Sequence, residues 1–181
     1  MIRIIAGVYK GRFLKVPDTN VTRPTMDKVR QAIFSAMKDK CLGNTVVDLF
    51  SGSGAMGLEA LSRGAKMVYF NDKDHKTFLT MKENITSLKP DASSYCVTCM
   101  DYRVFLKKNT NLKIDVLFLD PPYRFTINAS IIKYCEEHKM LNPDALVVSE
   151  QDYPNEEIPG YTMKEYRYGE KHVALYRKEN I

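Results

Sequence analysis

Residues 45–57 read TVVDLFSGSGAMG, and LEALSRG continues directly from Leu58 as a helix closed by Gly64. No other stretch restricts the fold as strongly. A run of β-branched and apolar residues passes straight into Gly52, Gly54 and Gly57, spaced as G-x-G-x-x-G. That order predicts a buried strand, a tight turn and a helix that packs back on the sheet. A strand of this kind needs partners on both edges, so the rest of the chain must supply a sheet.

It does so by alternation. KMVYFND, SYCVTCM, IDVLFLD and ALVVSE each read as short buried strands. Between them lie a helical pattern on Phe78, Met81, Ile85 and Leu88 that stops at Pro90, a short helix through YRVFLKK, and a helix near Ile127 to His138. The expected class is α/β, a mostly parallel sheet with helices on both faces. YTMKEYRYGEKHVALYR adds an antiparallel hairpin turning at Gly169. In front of the sheet, RIIAGVYKGRFLKVP predicts a small hairpin ending at Pro17. Thr25 is then the expected N-cap of a helix carrying Met26, Val29, Ile33, Ala36 and Met37 on one stripe. The expected organisation is a basic extension over residues 1–24 followed by an α/β domain over residues 25–181.

Charge singles out that extension. Residues 1–30 hold seven Lys and Arg against two Asp, which accounts for the whole net charge of +5. Such asymmetry suits a polyanionic partner. No apolar run is long enough to span a bilayer, and no secretory leader is legible. Four cysteines are too few for a disulfide scaffold, so reduced thiols in a cytoplasm are expected.

In open parallel sheets, ligands bind at the carboxyl ends of the strands near the switch in strand order. The unusual residues fall there: Asp48, Ser51 to Gly57, Asp72, Asp101 and Asp120. A glycine turn in this context also fits a dinucleotide, so a NAD-dependent oxidoreductase is a competing reading. Asp48 argues against it. A carboxylate four residues before Gly52 is a poor neighbour for a pyrophosphate and a good one for a ligand with a positive end. Asp72 is placed to accept from ribose hydroxyls, and Asp101 from an adenine amine.

The fourth core strand ends in Asp120, Pro121, Pro122 and Tyr123. Two prolines force the chain out of the sheet. An Asp side chain and a backbone carbonyl then make a fork of acceptors suited to an exocyclic –NH₂. Gripping both hydrogens localises the nitrogen lone pair for attack on a methyl group. Tyr123 offers a flat face to an unstacked base.

DLFSGSGAMGLEALSRGA together with DPPY resembles the S-adenosylmethionine-dependent methyltransferases of Rossmann-like fold. RIIAGVYKGR and TRPTMDKVRQAIF narrow the resemblance to the RsmD-type family, bacterial small-subunit ribosomal RNA guanine-N2 methyltransferases. The resemblance covers nearly the whole chain. It implies S-adenosylmethionine as cofactor, with Asp48, Ser51, Gly52 and Gly54 at its methionine end, Asp72 on the ribose and Asp101 at the adenine. It implies that Asp120 to Tyr123 hold the target guanine, and that the substrate is ribosomal RNA in an assembled or partly assembled small subunit. Asp72, preceded by Asn71, stands where such enzymes often carry Glu. Arg3, Lys10, Arg12, Arg23 and Arg30 are the expected grips on RNA phosphates.

D-P-P-Y alone is shared with adenine-N6 and cytosine-N4 enzymes, which stay open as alternatives. Cys96 and Cys99 form a lone C-x-x-C inside a strand, with no second pair, so no metal or redox role is expected. No cysteine is placed to attack carbon 5 of a pyrimidine, and no lysine stands out for ribose methylation. His75, His138 and His172 are scattered. Glu150 ends the fifth strand facing the cleft, and Arg124 follows Tyr123; neither has an assigned role.

Overall fold

In a computed structural model of the chain, residues 1–17, 24–122 and 127–179 are described. Arg23, Tyr123 and Arg124 lie outside them. A two-stranded hairpin, β1 (Ile2–Arg3) and β2 (Phe13–Leu14), precedes α1 (Pro24–Met37). The helix begins at Pro24, one residue before the expected Thr25 cap; proline's fixed φ and missing N–H suit the first helical position.

The strands and helices then alternate: β3 (Thr45–Asp48), α2 (Ala55–Ser62), β4 (Met67–Asn71), α3 (His75–Leu88), β5 (Tyr95–Thr98), α4 (Tyr102–Lys108), β6 (Ile114–Leu119), α5 (Asn128–Glu137) and β7 (Leu141–Gln151). The last two strands, β8 (Tyr161–Tyr168) and β9 (Lys171–Lys178), form the closing hairpin. Gly169 turns it at φ +61°, a value that glycine adopts without a Cβ clash.

The seven strands order as β5-β4-β3-β6-β7-β9-β8. β3 to β7 pair in parallel, and β9 runs antiparallel between β7 and β8. Strand order therefore reverses between β3, which ends in Asp48, and β6, which leads into Asp120.

Two cores cover the two faces of the sheet. On one, Val46, Val68, Phe70, Val116, Phe118, Val148 and Val173 pack with Ile33 and Phe34 of α1, Leu58 of α2 and Met81 of α3. On the other, Val47, Leu117, Val147 and Ala174 pack with Phe105 of α4 and Ile132 of α5. The hairpin joins the first core through Ile2, Ile4 and Leu14. Its attachment is tight: a Cβ on Gly7 would lie 1.8 Å from the Ser62 carbonyl oxygen.

Candidate functional site

Side chains alternate along a strand. Val46, Phe70, Phe118, Val148 and Val173 share one face. Two residues on from each, or two back along antiparallel β9, that face carries Asp48, Asp72, Asp120, Glu150 and Lys171. One sheet face thus presents a row of charged groups at the carboxyl ends of its parallel strands.

Around the glycine turn, every one of these groups is partnered. Asp48 is 4% exposed, and its Oδ2 accepts from the Gly57 N–H at 3.0 Å. The carboxylate therefore occupies the N-terminus of α2, where a dinucleotide's pyrophosphate would need to sit. Burial pushes the Asp48 carboxyl up to about 7, against the Gly57 bond, and repulsion from Asp120 and Asp72 adds to it. Such an acid favours a cationic neighbour.

Asp72 Oδ2 accepts from Gly52 N–H at 2.9 Å, and its Oδ1 accepts from Asp74 N–H at 2.9 Å. It braces the turn and keeps free lone pairs. The Ser51 hydroxyl donates to the Asp48 carbonyl at 2.7 Å and accepts from Asn71 N–H at 3.1 Å, so it holds the turn's shape. Gly52 sits at φ +55°, and a Cβ there would meet nothing within 4 Å: the backbone faces open space. Gly57 is required for the opposite reason, since its Cβ would come within 2.3 Å of the Phe70 ring.

Beside the turn, Phe50, Asp72, Lys73, Met100, Tyr102 and Pro122 line a narrow slot. The Phe50 and Tyr102 rings are 5.4 Å apart. Asp101 caps α4, accepting from Arg103 N–H at 2.9 Å, and pairs with the Arg103 guanidinium at 3.0 Å; that pairing holds its carboxyl below the usual range.

The other side of the cleft is less settled. Asp120 is accessible to solvent, yet enough protein surrounds it that burial raises its carboxyl, Asp152 raises it further and Lys171 opposes both. Glu150 is half-buried and raised as well, first by burial and then by Asp120. Neither carboxylate accepts a hydrogen bond among the described residues. Pro121 is buried and Pro122 exposed, so the turn carries the chain from the sheet to the rim of the slot.

Of the expected phosphate grips, Arg3, Lys10 and Arg12 are exposed on the hairpin. Arg12 donates to the Ser87 carbonyl at 2.8 Å. Arg30 must be corrected. It is 5% exposed, and its guanidinium donates to the Arg3 carbonyl and pairs with Asp27 at 3.1 Å. A cation turned inward to fasten the hairpin is not available to RNA.

Three structural residues escaped the sequence reading. Asn71, 1% exposed, donates to the carbonyls of Leu49 and Met100 and accepts from the Thr98 hydroxyl, tying three strand ends together. Asn84 of α3 bonds both backbone groups of Lys15 and the Ser53 carbonyl, linking hairpin to glycine turn. Glu59, wholly buried, accepts from the N–H groups of Ile5 and Ala6 and pairs with Arg63 at 2.8 Å. The only signal for Glu59 was an acid inside a short helix with little other polar surface.

A shallow depression of about 390 Å³ lies beside the β8–β9 turn, lined by Asp152, Tyr153, Arg167, Glu170 and His172. It is larger than the slot, but lacks the glycine turn and the strand-end acids. Among the described residues, no group of His, Cys, Asp and Glu is arranged to hold a metal ion, and no helix is long and apolar enough to cross a membrane. Cys41, Cys96, Cys99 and Cys135 are free thiols.

A family model described as conserved hypothetical protein 95 matches residues 2–177. Ribosomal RNA small subunit methyltransferase D of Haemophilus influenzae is 36% identical over 84% of this chain and 81% of its own length. YlbH of Bacillus subtilis is 36% identical over 98% of this chain and 99% of its own. The solved structure of yhhF from Escherichia coli superposes with a TM-score of 0.85 at 29% identity, covering 98% of both chains.

Proposed function

The chain belongs to the conserved hypothetical protein 95 family, and from that premise we propose that it transfers a methyl group from S-adenosylmethionine to the exocyclic N2 amine of a guanine in small-subunit ribosomal RNA. The observation that carries the reading is the juxtaposition across the switch point. Asp120 with its two prolines ends β6 directly beside β3, whose end opens into the glycine turn.

S-adenosylmethionine, when bound, supplies an electrophilic methyl group on a positively charged sulfur. The residues present suit it. Gly52 leaves room for close approach, and the buried Asp48 gains from a cation nearby. Asp72 has lone pairs left for ribose hydroxyls, and the touching Phe50 and Tyr102 rings give the slot beside it an apolar aromatic wall for the adenine. Asp101 has much of its acceptor capacity committed to Arg103, so its share in holding the adenine is the smaller.

Asp120 and the backbone carbonyl beside it grip the two N2 hydrogens. That grip weakens conjugation of the nitrogen with the ring and points its lone pair into the cleft. Asp120 needs no great basicity, because the amine sheds a proton readily only once its bond to carbon is forming. Arg3, Lys10 and Arg12 supply sequence-independent attraction to RNA phosphates. The substrate is the small subunit in an assembled or partly assembled state, which places the enzyme in the cytoplasm.

The test is methyl-labelled S-adenosylmethionine offered to unmodified small subunits, free ribosomal RNA and duplex DNA, with the products digested to nucleosides. Label in N2-methylguanosine from subunits or ribosomal RNA is the expected result. Label in N6-methyladenine or N4-methylcytosine overturns the guanine assignment.

A further inference from the structure

The proposed function leaves open how guanine is told from other bases. The strand register answers it. Leu119 pairs with Ser149 across β6 and β7, so Asp120 lies beside Glu150. Glu150 pairs with Val173 across β7 and β9, and Lys171 stands two residues along on the same face. Three neighbouring strands therefore carry an acid, an acid and, two residues further towards the strand ends and level with Asp152, a base.

Guanine's pairing edge presents N2–H₂, N1–H and O6, which reads donor, donor, acceptor. Adenine presents an amine and then an unprotonated N1, and cytosine an amine and then an unprotonated N3. Only guanine offers a second donor followed by an acceptor. Resting on the guanine-N2 reading, we propose that Glu150 and Lys171 determine the base: Glu150 accepts from N1–H, and Lys171 donates to O6, while Asp120 holds N2.

Two further observations support this. Glu150 is half-buried with no hydrogen bond among the described residues, so its carboxylate is open to a donor from the cleft. Lys171 is held at 3.0 Å from Asp152 and attracted by both Asp120 and Glu150, which keeps its ammonium beside the two acids. Against adenine, the ionised Glu150 carboxylate would face the N1 lone pair with no proton between them, so rejection is strongest above the pH of about 8 at which this raised carboxyl loses its proton. Sites that hydrogen-bond a substrate group reject analogues lacking it by on the order of 10⁴-fold.

The test keeps the reacting amine and changes the rest of the edge. Small-subunit RNA is prepared with guanine, 2-aminopurine or 2,6-diaminopurine at the methylated position. All three carry the N2 amine; neither analogue has N1–H or O6. The wild type should methylate guanine at least about 10³-fold faster than either analogue. Glu150→Gln should bring that ratio to within about tenfold. Lys171→Met should slow guanine at least tenfold more than 2-aminopurine, since that base offers no O6 and the loss of Lys171 beside Asp120 acts on both bases alike. Equal rates on guanine and 2-aminopurine in the wild type would overturn the proposal, as would Glu150→Gln slowing all three bases alike. Cofactor affinity by calorimetry, expected to match the wild type, shows that the variants are folded. Loss of the guanine-N2 reading has a different signature: no label in N2-methylguanosine from the wild type, with label elsewhere.

Discussion

The two sides of the cleft are built on opposite plans. On the glycine side, Asp48, Ser51, Asn71 and Asp72 are knitted to backbone groups by bonds of 2.7–3.2 Å. On the Asp120 side, two carboxylates repel one another, and Lys171 offsets only part of that. The first side is finished before any ligand arrives. The second is a set of acceptors waiting for donors. Preorganisation on one side and unmet hydrogen-bonding capacity on the other is what a cofactor site facing a substrate site requires.

The sharpest way to break this contrast is Asp120→Ala. Methyl transfer should fall by at least about 10³-fold, while cofactor affinity stays within about threefold, the scatter expected of a group that does not touch the ligand. The variant should be no less stable than the wild type above neutral pH, because a repelled carboxylate has been removed. An equal loss of cofactor affinity would move Asp120 to the glycine side. Asn71→Ala is the converse probe. It deletes the three hydrogen bonds of a buried side chain and leaves the Leu49 and Met100 carbonyls short of partners. Chemical denaturation should show a loss of about 2–4 kcal/mol.

How much of each side was legible in the sequence follows from the range of the interactions. The glycine turn, the strand-end acids and the two prolines are local signals, each set by residues a few positions apart. The sheet was readable from alternation for the same reason. Asn71, Glu59 and Asn84 act on partners 22 to 69 residues away, and no local pattern announces such pairs. Arg30 was misplaced because composition favoured an exposed cation. Its burial depends on the Arg3 carbonyl, which only the folded hairpin brings near. Glu150 and Lys171 are brought together by the insertion of β9 between β7 and β8, a long-range pairing with no local signal.

Asp48→Asn gives a smaller effect with a definite sign. In the fold this carboxyl titrates at about 7, and as a free side chain at 3.8. Between those values the native state holds a proton that the unfolded chain has released. Stability from this group is therefore full below about pH 4 and declines as pH rises towards 7. Asparagine removes the decline and keeps an oxygen for the Gly57 N–H. The variant should melt higher than the wild type at pH 8, and the gap should close by pH 4. It should also lose preference for S-adenosylmethionine over the uncharged S-adenosylhomocysteine, measured by calorimetry. A variant that melts lower at pH 8 would mean that the ionised carboxylate, despite its burial, is net stabilising at the helix terminus.

The smallest effect tests the extension, which belongs to neither side of the cleft. Arg3→Glu combined with Lys10→Glu reverses two exposed charges on the hairpin and touches no bond of the glycine turn. Binding to small-subunit RNA should weaken several-fold at low salt, and the slope of log affinity against log salt should become shallower by about 2. Cofactor affinity and melting temperature should not move. Arg30→Gln, in the same assay, should lower the melting temperature without changing the salt slope, because its guanidinium fastens the hairpin from inside. If both variants change the salt slope alike, Arg30 reaches the RNA and its inward orientation is not the one that works. If neither does, the positive charge of the hairpin serves solubility or a protein contact, and the RNA is held elsewhere on the rim of the cleft.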